Sequence, residues 1–364
     1  MTVRTINPHL KGIIHSDYSS QLKENLSTTM AIFRDLGVGR STMEEKILEE
    51  AQRLVDAIRS RNGMEFDPFH NVSCSVANVI LSVVLNKQYE HDDPELLKII
   101  NFADGKIETS AHTMMIDSLN MLRFLPPFRR SFKQMQVCDK GLIDFMWKHA
   151  KDHMKVNNNR NTDFVYSWIT KSTKKKGEEM DKENFARILR DFMIAGTETT
   201  ATSLKWTLIQ LANNPEIQDK LHVEIDRNIG TKRQISLKDR DMLPYLEATI
   251  LEVQRQKTIV PFALPHYTKG DTKMGEYDIP ADTLIFPNLV GIHYDERTFD
   301  DPCEFRPERF VDSTGKFIKH PNVIPFGIGK RSCLGNCLHD KSYFFSRRPW
   351  YSISNLYHPP TSQK

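Results

Sequence analysis

A glycine-rich loop near the carboxyl end of the chain holds one cysteine, and an arginine lies two residues before it. The loop occupies residues 326–335 and reads FGIGKRSCLG, which places the arginine at 331 and the cysteine at 333. Glycines let a backbone turn closely around a sulfur and direct N–H groups toward it. A thiolate held in this way is suited to serve as an axial ligand of haem iron, where it pushes electron density toward O–O cleavage.

Two other interpretations of this loop compete with a haem ligand. A lone cysteine beside a turn is often a buried structural residue, and the loop alone leaves that reading open. A phosphate-binding loop would need a glycine five residues before Gly329 and a serine or threonine after Lys330. Position 324 is isoleucine and position 331 is arginine, so the phosphate-binding interpretation is excluded.

The loop resembles the Phe-x-x-Gly-x-Arg-x-Cys-x-Gly signature of the cytochrome P450 family at all of its fixed positions. In that family the cysteine is the iron ligand of heme b (iron protoporphyrin IX), and the arginine contacts a haem propionate. The resemblance implies that Cys333 is the metal ligand and that Arg331 and Phe326 bind the cofactor. The planar guanidinium of arginine suits a carboxylate such as propionate.

A long helical pattern over 182–212 carries an apolar stripe that turns small and polar in its middle, at residues 195–200. Asp181 is the predicted N-cap. Small residues at the centre of an apolar stripe indicate that something flat or bulky packs against the helix. Glycine and clustered threonines are poor helix formers, and threonine can bond a carbonyl one turn back, so a kinked structural helix is the alternative.

Residues 195–200 (AGTETT) resemble the Ala-Gly-x-Glu-Thr-Thr motif on the distal haem helix of the same family. The resemblance implies that Ala195 and Gly196 leave room over the haem. It also implies that Glu198 and Thr199 are the catalytic acid and alcohol that relay protons to dioxygen. The chemistry needs such groups, because cleavage of dioxygen requires protons delivered into a mostly dry pocket.

Four further residues gain a meaning only from the resemblance. Glu252 and Arg255 lie three residues apart on one helix face, which by itself is typical of a weak surface pair. They resemble the family's Glu-x-x-Arg, and Arg309 in the segment 305–310 (FRPERF) would complete a buried structural triad. A lone histidine is usually an ordinary surface or core residue, but the resemblance implies that His266 bonds a haem propionate. Residues 260–264 would line the substrate pocket.

The hydrophobic periodicity predicts a mainly α fold with a minor β component. Expected helices cover residues 21–36, 42–60, 72–86, 134–156, 182–212, 215–229 and 242–257, and short extended pieces follow Pro261. A break is expected after Leu125, before two prolines. The resemblance implies an incomplete cytochrome P450 fold, with a partial haem-binding domain at 1–345 and a divergent tail at 346–364.

Composition excludes several classes. The 364 residues include 50 Lys plus Arg and 47 Asp plus Glu, a net charge of +3 that argues against a nucleic-acid binder. Five scattered cysteines indicate reduced thiols rather than a disulfide framework. The longest apolar run, near 79–85, is far shorter than the roughly twenty residues that span a bilayer.

The sequence also departs from the family. Full-length members begin earlier, so their membrane anchor and first helix are expected to be missing. Where the family offers Trp and Arg to the haem, this chain has Leu22 and Leu26, and a propionate facing Leu26 loses a charge-assisted hydrogen bond. The similarity decays after Gly335. These departures favour an alternative function, a non-catalytic remnant that binds haem weakly or not at all.

The main expectation is a monooxygenase that inserts one oxygen atom of dioxygen into a lipophilic substrate of the fatty acid, steroid or xenobiotic class. Its electrons would come from an NADPH-dependent reductase. A haem-thiolate isomerase is disfavoured, because Glu198 and Thr199 would have no dioxygen to protonate. The sequence between the motifs resembles that of animal microsomal family-two members. This resemblance implies a location on the cytosolic face of the endoplasmic reticulum membrane. Peripheral membrane association and a cytoplasmic location both stay open.

Overall fold

The structure, a computed structural model, describes residues 11–37, 41–155, 163–173, 180–230, 233 and 236–336. The chain forms two compact units, with the boundary between Ala201 and Thr202. The predicted tail at 346–364 lies outside the described residues. Within the described ranges, no helix combines the length and apolar character that crossing a bilayer requires.

The first unit is helical. Its elements are α1 Ser20–Asp35, α2 Ser41–Arg59, α3 Phe69–Leu85, α4 Pro94–Glu108, α5 Ser110–Ser118, α6 Pro126–Lys155, α7 Phe164–Thr173 and α8 Lys182–Asn213, whose residues from Thr202 onward belong to the second unit. Every helix that was predicted in this unit is present. Most helix ends lie within a few residues of the predicted positions. The helices α4, α5 and α7 were not predicted.

One boundary differs from the prediction. The chain does break after Leu125, whose backbone is extended, but α6 begins at once with Pro126 instead of near residue 134. Proline lacks an N–H and has a fixed φ, and both properties suit the first turn of a helix, where the N–H has no intrahelical partner. The two prolines therefore start this helix, and they do not delay it.

Two kinds of contact build the core of the first unit. The helices α4 and α6 approach closely, since a side chain added at Gly105 would meet Cys138 and one added at Gly141 would meet Phe102. An aromatic cluster joins α1, α7 and α8. Its rings lie 4.8–5.7 Å apart between centroids and belong to Phe33, Phe164, Trp168, Phe185 and Phe192. These contacts fix α8, which carries residues 195–200.

The second unit combines helices with two small sheets. Its helices are α9 Pro215–Asn228, α10 Pro244–Gln256 and α11 Leu289–His293, and its strands are β1 His266–Tyr267, β2 Thr272–Met274, β3 Tyr277–Ile279 and β4 Leu284–Ile285. Strand β1 pairs antiparallel with β4, and β2 pairs antiparallel with β3. The predicted minor β component is confirmed.

Helix α10 is the centre of the second unit, because it is buried on all sides from Leu246 to Gln256. An apolar cluster packs on one side of it and comprises Ala248, Leu251, Phe299, Phe310 and Val323. Val323 lies three residues before the cysteine loop. The loop therefore leaves directly from the core that α10 organises.

Candidate functional site

The cysteine loop closes on itself through one backbone hydrogen bond. The N–H of Cys333 donates to the carbonyl of Phe326 at 2.9 Å. Gly327 and Gly329 have φ values of +67° and +78°, which side-chain-bearing residues rarely adopt. The two glycines thus provide the turns that bring the ends of the loop together.

The sulfur of Cys333 lies at the surface of the second unit and has an N–H directed at it. The amide of Gly335 donates to Sγ at 3.3 Å, and the cysteine is exposed. A hydrogen bond to a thiolate favours the charged form, which is the form that binds metals. Cys74, by contrast, has no exposed surface. The exposure of Cys333 disfavours the interpretation of this cysteine as a buried structural residue.

The other predicted cofactor residues of this unit lie on its surface or partly below it. Arg331 ends the short 3₁₀ turn Gly329–Arg331 and is partly buried, as is Phe326. His266 opens β1, opposite Ile285 of β4, and is exposed. The roles of these three side chains toward a haem stay predictions.

The predicted triad is present and buried. The guanidinium of Arg255 donates to both carboxylate oxygens of Glu252, at 2.7 and 2.8 Å, and neither side chain is exposed. Arg309 approaches the same carboxylate at 3.4 Å, and the amide of Arg306 donates to it at 3.0 Å. The structure therefore brings Glu252, Arg255 and Arg309 together as the resemblance implied, with Glu252 satisfied on both oxygens.

The triad also holds the loops that follow α10. The remaining N–H groups of Arg255 donate to the carbonyls of His293 and Pro302, each at 2.8 Å. The neighbouring Gln256 donates to the carbonyl of Cys303 at 2.7 Å. One buried guanidinium thus fixes chain segments that are about 40 to 50 residues away in sequence.

Sequence reasoning missed His293. Its side chain is fully buried at the end of α11, and both ring nitrogens have partners: Thr258 Oγ1 at 2.7 Å and the amide of Ile324 at 3.0 Å. Burial, together with the positive charge of Arg255, lowers the pKa of His293 to about 4. No local pattern could reveal this role, because Ile324 lies 31 positions further along the chain.

Residues 195–200 lie on α8 in the first unit, in a helix without interruption. The Thr199 hydroxyl donates to the carbonyl of Ala195, one turn back. Glu198 and Thr199 are partly buried and Ala195 is exposed. A Cβ at Gly196 would lie 2.6 Å from Cδ1 of Ile80 in α3, so the missing side chain serves the close approach of two helices.

The positions of the expected haem clamp lie on α1. Leu22 has no exposed surface, and Leu26 is partly buried. Between them, Asn25 is buried and donates to the carbonyl of Gly12 and to Asn184 Oδ1, at 3.0 and 3.1 Å. Asn25 therefore ties α1 to the segment before it and to α8.

The segment before α1 is anchored on α8. The carboxylate of Asp191 accepts the amides of Ile13 and Ile14, at 2.7 and 3.0 Å. Arg190 next to it is buried and pairs with Asp191 and Asp139. Burial would raise the pKa of Asp139, but the charges of Arg190 and Lys106 lower it to about 2. The first half of α8 is thus held by a buried charge network.

Comparisons with known proteins agree with the geometry. Residues 2–338 match the family described as Cytochrome P450. The chain is 33% identical over 341 residues to cytochrome P450 2U1 of Homo sapiens, which covers 92% of this chain and 62% of that protein. It is 35% identical over 335 residues to cytochrome P450 2A7 of Homo sapiens, with 90% of this chain and 67% of that protein covered.

It is also 33% identical over 353 residues to cytochrome P450 2J3 of Rattus norvegicus, with 94% of this chain and 69% of that protein covered. The chain spans less than two thirds of the length of its 2U1 relative. The family match nevertheless extends from residue 2 to residue 338, through the cysteine loop and the buried triad. The chain belongs to the cytochrome P450 family.

Proposed function

We propose that this chain is a haem-thiolate monooxygenase that inserts one oxygen atom of dioxygen into a lipophilic substrate. The observation that carries the proposal is the cysteine loop, which exposes the sulfur of Cys333 and directs the amide of Gly335 at it. An exposed, hydrogen-bonded sulfur on a rigid loop is the donor that a haem-thiolate enzyme needs. The family membership supports the same reaction class.

The residues of the second unit fit a haem of the b type. Cys333 Sγ would bind the iron, and Arg331 and His266 would donate to the propionates. Phe262, Leu264 and Ile328 are exposed at 52%, 51% and 75%, and an apolar macrocycle is the kind of group that covers such side chains. When bound, the haem supplies the activation of dioxygen.

Glu198 and Thr199 would serve proton delivery. The Thr199 hydroxyl donates to the Ala195 carbonyl one turn back, which orients its oxygen, and a hydroxyl oxygen is also a hydrogen-bond acceptor. A carboxyl group on the adjacent residue can hold and release a proton at its own oxygen. Helix α8 would keep the two groups beside each other on a rigid element.

We further propose an NADPH-dependent reductase as electron donor and a fatty acid, steroid or xenobiotic as substrate. The location proposed is the cytosolic face of the endoplasmic reticulum membrane, by peripheral association. These proposals rest on the likeness to cytochrome P450 2U1, 2A7 and 2J3. The apolar residues 260–264 would contact the substrate.

A second candidate function is a non-catalytic protein that retains the fold and binds haem weakly. It is favoured by one observation: Leu22, where the family offers an aromatic donor, is fully buried, and Leu26 has no polar group. A missing charge-assisted bond to a propionate weakens binding by about 1.5–3 kcal/mol. Haem affinity therefore separates the two candidates.

The decisive experiment is the spectrum of the reduced carbon monoxide complex. The chain is expressed with haem supplied, and Cys333→Ala is compared with Cys303→Ala, a matched control because Cys303 is also exposed. We expect a strongly red-shifted Soret band in the wild type and in Cys303→Ala, and its loss in Cys333→Ala. A wild type that takes up no haem would refute the monooxygenase and support the non-catalytic candidate.

A second experiment addresses Thr199. The variant Thr199→Ala should keep the red-shifted band, because it leaves the cysteine loop intact, but should consume electrons without matching product. Thr200→Ala is the matched control, since it removes the neighbouring hydroxyl. Electron consumption and product are measured with the reductase present. Unchanged coupling in Thr199→Ala would contradict the proton-delivery role.

A further inference from the structure

The buried imidazole of His293 joins two parts of the second unit that are distant in sequence. Its Nε2 lies 3.0 Å from the amide nitrogen of Ile324, and its Nδ1 lies 2.7 Å from Oγ1 of Thr258. The side chain has no exposed surface. The ring itself is therefore shielded from water, and its two nitrogens depend on these partners.

The contacts fix one tautomer. A backbone amide can only donate, so Nε2 of His293 must accept from Ile324, and the ring proton lies on Nδ1. That proton is donated to Oγ1 of Thr258, whose own hydroxyl donates to the carbonyl of Arg255 at 2.9 Å. A neutral ring satisfies every group, and the pKa of about 4 keeps the ring neutral at pH 7.

The backbone of His293 is fixed from the other side. Its carbonyl accepts from Nη1 of Arg255 at 2.8 Å, and Arg255 is held by both oxygens of Glu252. Beyond the imidazole, the carbonyl of Ile324 accepts the amide of Gly327 at 3.0 Å. Gly327 is the first glycine of the loop that contains Cys333. His293 is thus the link between the triad and the start of the cysteine loop.

We propose that His293 is a positioning residue for Cys333: its Nε2 holds the amide of Ile324 and thereby sets the direction in which the cysteine loop leaves the core. The proposal rests on the proposed haem-thiolate function, because the direction of the loop matters for the sulfur only when Cys333 binds iron. Without the imidazole, the amide of Ile324 would lie beside the buried Val323 with no acceptor, at a cost that favours a shift of the loop.

Two substitutions separate the two ring nitrogens. In His293→Gln, the side-chain oxygen can occupy the position of Nε2 and accept from Ile324. In His293→Asn, the shorter amide can occupy the position of Nδ1 and donate to Thr258, but it does not reach Ile324. The two variants are therefore matched in polarity and differ in the contact that the proposal needs.

The first readout does not need haem. Hydrogen exchange is measured by mass spectrometry on peptides that cover residues 320–327. We expect exchange at Ile324 to become about tenfold faster in His293→Asn and to stay within about threefold of the wild type in His293→Gln, since the hydrogen bond to the Ile324 amide is lost only in the former. Equal exchange in the two variants overturns the proposal. If His293→Asn does not fold, loss of protection in His293→Gln overturns it and retained protection supports it.

The second readout is the reduced carbon monoxide complex of the haem-loaded chain. The fraction with the red-shifted, thiolate-ligated band should fall by half or more in His293→Asn and be restored in His293→Gln. The proposal is overturned if His293→Asn shows faster exchange at Ile324 but the same fraction of thiolate-ligated protein as the wild type. In that case His293 contacts Ile324 without positioning Cys333. If the wild type binds no haem, the proposed function fails, while the exchange measurement still decides whether His293 holds Ile324.

Discussion

The small size of Gly196 is expected from the resemblance to leave room for a ligand. In the structure it allows the close packing of two helices. The sequence marks it as a small residue in the middle of an apolar stripe, and the resemblance assigns the space to a ligand. In the structure the space next to its Cα is taken by Ile80 of α3. Sequence reasoning could not identify this neighbour, because the two residues are far apart in the chain and no local pattern pairs them.

A test at the residue scale is the variant Gly196→Ala. Overpacking of a core contact typically costs about 1–3 kcal/mol, which outweighs the roughly 1 kcal/mol that alanine gains over glycine inside a helix. We expect the free energy of unfolding to fall by about 1 kcal/mol in the wild-type background. It is measured by urea denaturation.

The matched background is Ile80→Ala, which removes the side chain that the new methyl group would meet. In this background Gly196→Ala should stabilise the chain by about 0.5–1 kcal/mol, since only the gain in helix propensity remains. The contact between residues 196 and 80 is contradicted if the losses in free energy of unfolding of the two single variants simply add in the double variant.

At the scale of elements, the sequence predicts most when an element carries its own signals. The bounds of α8 follow from Asp181, whose carboxylate accepts the amide of Asn184 at 3.0 Å, and from the Asn-Asn-Pro stop after it. The triad was predicted from the resemblance of two short local motifs to the family, and not from the spacing of Glu252 and Arg255 alone. The contact between His293 of α11 and Ile324, just before the cysteine loop, was not predicted, since the two residues are 31 positions apart and no local pattern pairs them.

The buried His293 at the end of α11 predicts that the stability of the fold depends on pH. Its pKa is lowered from the ordinary 6.5 to about 4 in the folded chain, by burial and by Arg255. Between these values the unfolded chain binds a proton that the folded chain does not. The contribution of the neutral His293 to the free energy of unfolding should therefore be complete above pH 6.5. It should be lost progressively as the pH decreases toward 4.

The measurement is urea denaturation between pH 7 and pH 4, on the wild type and on His293→Gln. Other groups also titrate in this range, among them His15 in the first unit, whose pKa burial lowers to about 4 as well. The difference between the two proteins isolates His293, and the variant should lose less stability on acidification. Parallel curves for the two proteins would rule out a neutral, buried His293.

At the scale of the whole molecule, composition predicted free thiols but not their surroundings. Cys74 and Cys138 are buried, whereas Cys303 and Cys333 are exposed, and burial raises the pKa of Cys74 to about 12. Sequence spacing gives no sign of this division, since burial depends on which helices cover each residue. Only the glycines around Cys333 indicated an accessible sulfur.

The division can be measured by labelling the native chain with a maleimide at neutral pH. Among the cysteines that the structure describes, Cys303 and Cys333 should be modified at least tenfold faster than Cys74 and Cys138, because only exposed thiolates react. Haem should protect Cys333 and leave Cys303 reactive. The sites are identified by peptide mass spectrometry, and modification of Cys333 at an equal rate with haem bound would argue against its role as the iron ligand.

The bonds that Arg255 makes have a consequence for the time course of folding. The loops that follow α11 contain little regular structure, and their carbonyls at His293, Pro302 and Cys303 find their donors on α10. Those donors are in place only once α10 is helical and Glu252 has oriented the guanidinium. Bringing segments that lie 38 and 47 residues away onto this helix carries an entropic cost. We therefore expect the segments after α11, including the one that leads into the cysteine loop, to take their native positions only after α10 has formed.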